Sequence, residues 1–212
     1  MGRIYDATWG RAFSAYYDRA FRATEAAGLR EMRRALLAQA RGRVLELGAG
    51  TGLNLEHYPA EVESLTLTEP DPHMSRQLQP KLAQSGRPAE LHETPAESLP
   101  FEDESFDTVV VTLVLCTVPD PHAALAEVRR VLEPEGNLLF LEHVRSDDPG
   151  TARWQDRLER PWRFLGDGCY CNRDTLATIG AAGFDVTEVE CGVLPKAPPI
   201  VRPLIQGSAG RK

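Results

Sequence analysis

The sequence predicts an α/β protein built on a doubly wound, mostly parallel sheet. Three observations carry that expectation. Short apolar runs alternate with helical patterns, as in strand–helix–strand units. The run from Phe106 to Leu115 is apolar nearly throughout, as strands covered on both faces are, and such strands usually pair in parallel. The glycine cluster Gly48-Ala49-Gly50-Thr51-Gly52 closes one apolar run and opens a helical pattern. Glycine belongs where backbone turns sharply or lies against a ligand, because a Cβ would collide there.

The elements follow in chain order. Residues 10–41 read as helical, with Phe13, Tyr17, Ala20 and Phe21, then Met32, Leu36 and Leu37, at helix spacing. Gly28 is expected to divide the stretch into two helices. Strands are expected at 43–47, 64–68, 89–92, 106–115 and 137–143. Helical patterns lie between them at 52–58, 72–85 and 120–132. A further amphipathic helix over 150–166 carries Trp154, Leu158, Trp162 and Leu165 on one face. A helix over 172–182 and a strand over 184–189 follow, and the tail from Gly192 is rich in proline. The expected organisation is a single domain over 1–212. Residues 1–41 form a helical lid, 42–144 a ligand-binding core, and 145–212 the substrate-side helices and C-terminal strands.

Charge is distributed unevenly. The formal net charge is −7, which argues against a nucleic-acid partner, since such proteins are usually basic. Residues 1–43 hold nine Arg and four acids, whereas residues 44–149 hold six basic and 20 acidic residues. A basic head therefore precedes an acidic body. Opposite signs favour closure of one over the other, modestly and in a salt-dependent way. The same head could instead meet an anionic lipid surface. No run is long and apolar enough to span a membrane, and the N-terminus lacks a signal-peptide pattern. With Cys116, Cys169, Cys171 and Cys191 read as reduced thiols, the expected compartment is the cytoplasm.

The strongest chemical signal is Val44-Leu45-Glu46-Leu47-Gly48-Ala49-Gly50-Thr51-Gly52-Leu53-Asn54. Its G-x-G-x-G spacing differs from the G-x-G-x-x-G of dinucleotide enzymes and suits a small adenosyl ligand better than a pyrophosphate. Glu69 ends the next strand about 20 residues further on, where an acid accepts hydrogen bonds from ribose hydroxyls.

These residues, followed by Thr68-Glu69-Pro70-Asp71, Ala96-Glu97-Ser98-Leu99-Pro100-Phe101, Ser105-Phe106-Asp107 and Val131-Leu132-Glu133-Pro134-Glu135-Gly136, resemble the class I S-adenosylmethionine-dependent methyltransferases. The resemblance covers 44–143 in order. It implies a Rossmann-like doubly wound sheet with an antiparallel C-terminal strand, and S-adenosyl-L-methionine as cofactor. It places Glu46 under the glycine loop near the methionine end, and Gly48, Ala49, Gly50, Gly52 and Asn54 against the cofactor. It puts Glu69 on the ribose, Pro70 and Met74 beside the adenine, and Glu97 or the Ala96 backbone on the adenine amine. Thr112 and Leu113 lie beside the sulfonium, and Tyr17, in a segment with Tyr16 and Asp18, belongs to a lid. Pro95 stands where the family often has Asp.

Over 106–209 the chain is similar to a narrower group, the animal alkyl-thiol methyltransferases and bacterial relatives described as phospholipid or quinone-type methyltransferases. That similarity rests on Thr112 to Val118, Leu141-Glu142-His143-Val144, Trp154, Pro161-Trp162, Gly168-Cys169, Asn172-Arg173, Ala182-Gly183-Phe184 and the stretch from Arg202 to Ala209. The animal proteins begin with a hydrophobic anchor that this sequence lacks. Their C-terminal Pro-His-Ile-Tyr-Gly is here Pro203-Leu204-Ile205-Gln206-Gly207.

The implied acceptor is a small hydrophobic molecule, a thiol in the leading reading. Thiols need less help than alcohols or amines, because thiolate is partly present near neutral pH and is strongly nucleophilic. The alternatives are phospholipid N-methylation at a membrane surface and O- or N-methylation of another metabolite. His143 ends a core strand at the carboxyl edge, where open α/β sheets bind ligands. It is either a general base or a hydrogen-bonded strand terminus. Cys116 reads as a small buried hydrophobe or a pocket residue. Cys169-Tyr170-Cys171 is half of a metal pattern with no second Cys or His cluster to complete it, so no metal is expected. Trp154 and Trp162 form either an apolar wall for substrate or part of the core. Arg173 either pairs with Asp167 or meets an anionic substrate, and Arg202 returns to cap the site. Oligomeric state is not encoded in any of these patterns.

Overall fold

The computed structural model describes residues 10–212. Two helices open the described chain, α1 (Arg11–Thr24) and α2 (Arg30–Leu37), joined by a π-type turn over Glu25–Leu29. Gly28 sits in that turn at φ 138°, a conformation that glycine tolerates and other residues resist. The expected break at Gly28 is therefore present. Next come β1 (Gly42–Leu47), β2 (Val62–Thr68), α3 (Pro72–Ser85), β3 (Ala89–His92), β4 (Phe106–Thr112), α4 (Pro121–Val131) and β5 (Leu132–His143). The chain continues with α5 (Pro149–Leu165), α6 (Thr175–Ala181), β6 (Phe184–Val193) and β7 (Pro203–Arg211).

The seven strands form one sheet in the order β3-β2-β1-β4-β5-β7-β6. β1 to β5 run parallel, and β7 pairs antiparallel with both β5 and β6. This is a Rossmann-like arrangement with an antiparallel C-terminal edge. The sheet is buried on both faces at its centre. Val44, Leu65 and Leu139 contribute to one apolar cluster, and Leu45, Val109, Val111 and Phe140 to the other. Burying each such side chain is worth about 1.5–3 kcal/mol, which is why the central strands read as continuous apolar runs.

Three helices start the same way. Asp71, Asp120 and Asp148 each precede a proline and accept a backbone N–H from the first turn, at 2.7, 3.0 and 2.7 Å respectively. Proline is pre-set for the first helical position, and an aspartate cap of this kind is worth about 1 kcal/mol. Asp174 caps α6 in the same manner without proline.

The structure corrects one expectation. The helix expected at 52–58 is a turn that ends in a short 3-10 segment, Leu55–His57. In the proline-rich tail lies β7, which fills the space between β5 and β6. Among the described residues, no helix is long and apolar enough to cross a membrane.

Candidate functional site

The carboxyl ends of β1, β2, β4 and β5 converge at one edge of the sheet. The turn after β1 supplies backbone. Gly48 and Gly50 both lie in the left-handed region, at φ 58° and 57°, but they need glycine for different reasons. A Cβ on Gly48 would meet Val114 Cγ2 at 2.8 Å, whereas one on Gly50 would find nothing nearer than the Gly48 carbonyl oxygen at 4.0 Å. We therefore expect Gly48→Ala to cost about 1–3 kcal/mol by strain and overpacking, read in urea denaturation. Gly50→Ala should cost less stability and show its effect in cofactor affinity instead. Gly52 differs from the expectation that it faces the ligand. Its Cβ position points at Leu78 Cδ1, 2.6 Å away, and at Leu55, so it lets the loop pack on α3.

A cleft of about 260 Å³ lies over this turn, lined among others by Tyr17, Arg33, Glu46, Gly48, Gly50 and Thr112. Ala49 and Asn54 also line it. Beneath it runs a buried polar network. Glu46 accepts from Asn54 Nδ2 at 2.8 Å and from the Tyr58 hydroxyl at 2.7 Å. Arg33 donates to Asn54 Oδ1 at 2.9 Å, to Thr112 Oγ1 at 3.0 Å and to Glu25 Oε1 at 3.1 Å. Burial pushes the Glu46 carboxyl up from its ordinary range, opposed by the hydrogen bonds from Tyr58 and Asn54.

Glu69 closes the loop. Its carboxylate accepts the Gly50 N–H at 2.7 Å and the Asp71 N–H at 2.8 Å, one donor per oxygen. Each oxygen keeps acceptor capacity for a hydroxyl. Burial raises its pKa to about 7, with the two backbone donors pulling the other way. Further along the edge, Met74 and Ala96 are buried, at 7% and 6% exposure, and Pro70 is exposed. Glu97 is engaged elsewhere, since its carboxylate accepts the Asp120 N–H at 3.2 Å.

Helix α1 packs across the loop. Tyr17 is half-buried at the cleft wall and stacks on Phe21 at 4.5 Å between centroids. Asp18 accepts from the Thr51 hydroxyl and from Lys81 Nζ, the latter at 2.7 Å. Gln77 donates to the Ser14 carbonyl at 2.8 Å. Contacts of both polarities join the basic head to the body: Asp18 meets Lys81, Arg30 lies 3.9 Å from Glu56, and Arg43 pairs with Asp107 at 3.0 Å and Glu133 at 2.7 Å, while Arg11, Arg19 and Arg22 remain exposed.

Past Thr112 the chain takes an unusual path. Leu113 adopts φ 59°, rare for a residue with a bulky side chain, while its N–H stays bonded to the Leu141 carbonyl at 2.8 Å. Glu142, fully buried, holds the next turn by accepting the Val114 and Leu115 N–H groups at 2.8 and 3.1 Å. Burial raises its pKa to about 7.

That turn delivers Cys116 to His143 and Cys169. The three are buried, and their Sγ, ring nitrogen and Sγ atoms lie within 4.8 Å of one another. His143 Nε2 is 3.0 Å from Cys169 Sγ. Trp162 Nε1 donates to the same sulfur at 3.2 Å. The Tyr170 N–H bonds the Cys116 carbonyl at 2.8 Å, tying the two cysteine segments together. Hydrogen bonds from Cys116, His143 and Trp162 hold the Cys169 thiol well below its ordinary pKa, against burial. The Cys116 thiol is pushed up by Cys169 and by burial. Burial would lower His143, but the bond to Cys169 prevails and raises it. The expectation that no Cys or His completes the Cys169 pattern is corrected: Cys116 and His143 do so, from distant segments. Cys171 turns away, buried and donating to the Gln155 carbonyl at 3.4 Å.

Other substrate-side expectations divide. Trp162 joins the cysteine cluster, but Trp154 is 55% exposed with Arg157 over its ring at 5.7 Å, so the two indoles share no wall. Arg173 donates to the Leu115 carbonyl and stacks over Tyr170 at 4.1 Å. Arg202 is exposed and donates to the Ala197 carbonyl at 2.8 Å, bracing its own turn.

Two buried residues escaped the sequence reading. Arg33 occupies the apolar face of its helix, in register with Leu29 and Leu37, and Glu142 interrupts an apolar strand. A charge inside an apolar stripe is the signal that could have found both, because such groups are rarely buried unless paired. A more open hollow of about 630 Å³ at the amino end of β2 carries no comparable chemistry, since its Arg87 is engaged by the Tyr58 and Pro59 carbonyls.

A methyltransferase-domain profile matches residues 45–140. The human thiol S-methyltransferase TMT1B is 39% identical over 73% of this chain and 65% of its own length. Human thiol S-methyltransferase TMT1A is 33% identical over 78% of this chain and 69% of its own. The phosphatidylethanolamine N-methyltransferase of Cereibacter sphaeroides is 35% identical over 63% of this chain and 67% of its own. The chain spans a little under two thirds of the TMT1B sequences it matches. A SAM-dependent methyltransferase structure from Thermotoga maritima superposes with TM-score 0.69 at 22% identity, covering 95% of this chain and 98% of that one.

Proposed function

The chain belongs to the class I S-adenosylmethionine-dependent methyltransferases, and from that premise we propose that it methylates the sulfur of a small apolar thiol. The glycine turn fits an adenosyl cofactor, because the Gly50 Cβ position opens onto empty cleft and Glu69 keeps free lone pairs beside it. When bound, S-adenosylmethionine supplies an activated methyl group for one in-line displacement. Glu69 orients the ribose, the Gly48–Gly50 backbone lies along the ligand, and Arg33 offers positive charge to its carboxylate end. Residues 1–41 act as the lid, of which 1–9 lie outside the described residues, with Tyr17 excluding water at the cleft wall. Alignment and exclusion of water yield much of the rate in such transfers.

The observation that carries the thiol reading is the buried Cys116–His143–Cys169 cluster beside Trp162. The Cα of Gly48 faces Val114, two residues before Cys116, and Gly48 lines the cleft. The turn that carries Cys116 thus connects through Val114 to the glycine turn of the cleft, which supports placing the acceptor on this side. The cluster offers a soft, polarised surface for a sulfur acceptor, and Trp162 gives it an apolar side. The names of the human relatives agree with this reading. The exposed arginines of α1 favour a second one, in which the protein works on phospholipid at an anionic surface.

Incubation with methyl-labelled cofactor separates the two. The expected result is labelled thioether from small alkyl and aryl thiols and none from phosphatidylethanolamine vesicles. Lipid turnover without thiol turnover would reverse the assignment.

A further inference from the structure

We propose that Cys116, His143 and Cys169 bind one soft divalent cation of the zinc type, leaving a coordination position for the acceptor thiol. The three donors come from the turn after β4, the end of β5 and the loop between α5 and α6. They converge with their ligand atoms within 4.8 Å of one another. Tetrahedral zinc, with bonds of roughly 2.3 Å to sulfur and 2.0–2.1 Å to nitrogen, spaces its donors by about 3.5–3.8 Å. The 3.0 Å approach of His143 Nε2 to Cys169 Sγ therefore has to widen only by about half an ångström. Two thiolates and an imidazole are the donor set that soft and borderline cations select.

The surroundings suit a cation. Two thiolates would balance its double charge at a buried position. Glu142, buried next to His143, keeps Oε2 without a hydrogen-bond partner. The Trp162 N–H already donates to Cys169 Sγ, and such outer donors orient ligands and tune a centre. The Tyr170 N–H to the Cys116 carbonyl and Arg173 on the Leu115 carbonyl hold the ligand-bearing segments together before any ion arrives.

Three protein ligands are the pattern of catalytic sites, in which the fourth position takes water or substrate. A thiol coordinated there loses its proton outright, and that proton passes to solvent. The acceptor sulfur then forms the new bond to the methyl carbon. The methyl–sulfonium bond breaks, and its electron pair stays on the departing thioether sulfur. The methylated acceptor, now a neutral thioether, is a weaker ligand than thiolate and leaves. This acceptor step rests on the thiol reading above, whereas the metal site itself does not.

Titration of the full chain with Co²⁺ tests the site without recourse to activity. The expected result is one equivalent bound, with sulfur-to-cobalt charge-transfer absorption and the visible bands of tetrahedral cobalt, displaced by Zn²⁺. Cys116→Ser and Cys169→Ser should each weaken binding at least tenfold and diminish the charge-transfer band, with circular dichroism reporting the fold. If either variant fails to fold, His143→Gln serves in its place. Cys191→Ser, at an exposed position on β6, should bind as the parent does. Absence of stoichiometric binding, a spectrum without sulfur ligation, or binding indifferent to these substitutions would overturn the site. Adding a small alkyl thiol to the cobalt form should shift its spectrum. An unresponsive spectrum alongside thiol turnover would overturn the acceptor step and leave the thiol reading intact. A responsive spectrum without thiol turnover would support the site and overturn the thiol reading.

Discussion

Replacing Glu69 by alanine is expected to lower affinity for S-adenosylmethionine and its demethylated product roughly a hundredfold or more. Two hydrogen bonds to a charged acceptor, at about 1.5–3 kcal/mol each, account for that magnitude. Titration calorimetry with the demethylated product reads it directly, and unchanged affinity would remove Glu69 from the site. The pH dependence has a definite sign. With its pKa raised to about 7 by burial, the free protein holds Glu69 partly protonated just below neutrality, and only the carboxylate accepts from both ribose hydroxyls. Affinity should rise from pH 6 to pH 8 and level off above, and Glu69→Gln should flatten the profile. The effect on stability has the opposite slope. A carboxyl whose folded pKa is raised stabilises most below its unfolded pKa, and that contribution is lost as pH rises toward 7. One pKa unit corresponds to about 1.4 kcal/mol. The ligand-free protein therefore holds this carboxylate at a cost above neutrality, which donated hydroxyls offset.

Arg33→Met should destabilise the fold by about 3–5 kcal/mol, the range for removing one partner of a buried ion pair. Arg33 is 3% exposed and Glu25 is 7% exposed, so the orphaned carboxylate has no water to turn to. Asn54 and Thr112 lose a donor in the same step. Urea denaturation measures the loss. Adding Glu25→Gln to Arg33→Met should recover a substantial part of it. A double variant no better than the single would place the energy in the Asn54 and Thr112 bonds instead.

The sequence was most informative where local rules and global packing agree. Strands β1, β2 and β4 were legible because sheet-core strands are continuously apolar, and α3 because Pro72 and Gly86 bracket it. The Asp-Pro pairs at 71–72, 120–121 and 148–149 mark three helix starts that a stricter reading of capping could have located to the residue. Other features resisted for physical reasons. Gly-rich β7 has little strand propensity of its own and is a strand because β5 and β6 present their edges to it. The roles of the glycines also depend on neighbours distant in sequence, since Gly48 answers to Val114 and Gly52 to Leu78. The cluster of Cys116, His143 and Cys169 joins segments 26 and 27 residues apart, so no local spacing announces it, whereas the adjacent Cys171, which local spacing favoured, points into the core.

The place of β7 bears on how the molecule comes to exist. Strand β6 is made before β7, yet among the described residues β7 is its sole neighbour and separates it from β5. This edge of the sheet therefore cannot assemble in the order of synthesis. Until residues 203–211 arrive, β5 has an open edge and β6 has no partner. Glu188 and Glu190 on β6 are the kind of charge that keeps an unpaired strand from joining a stranger. His143, whose backbone pairs with Leu204, gains that pairing only when the last insertion is made, so the proposed acceptor side is completed by the final strand of the chain.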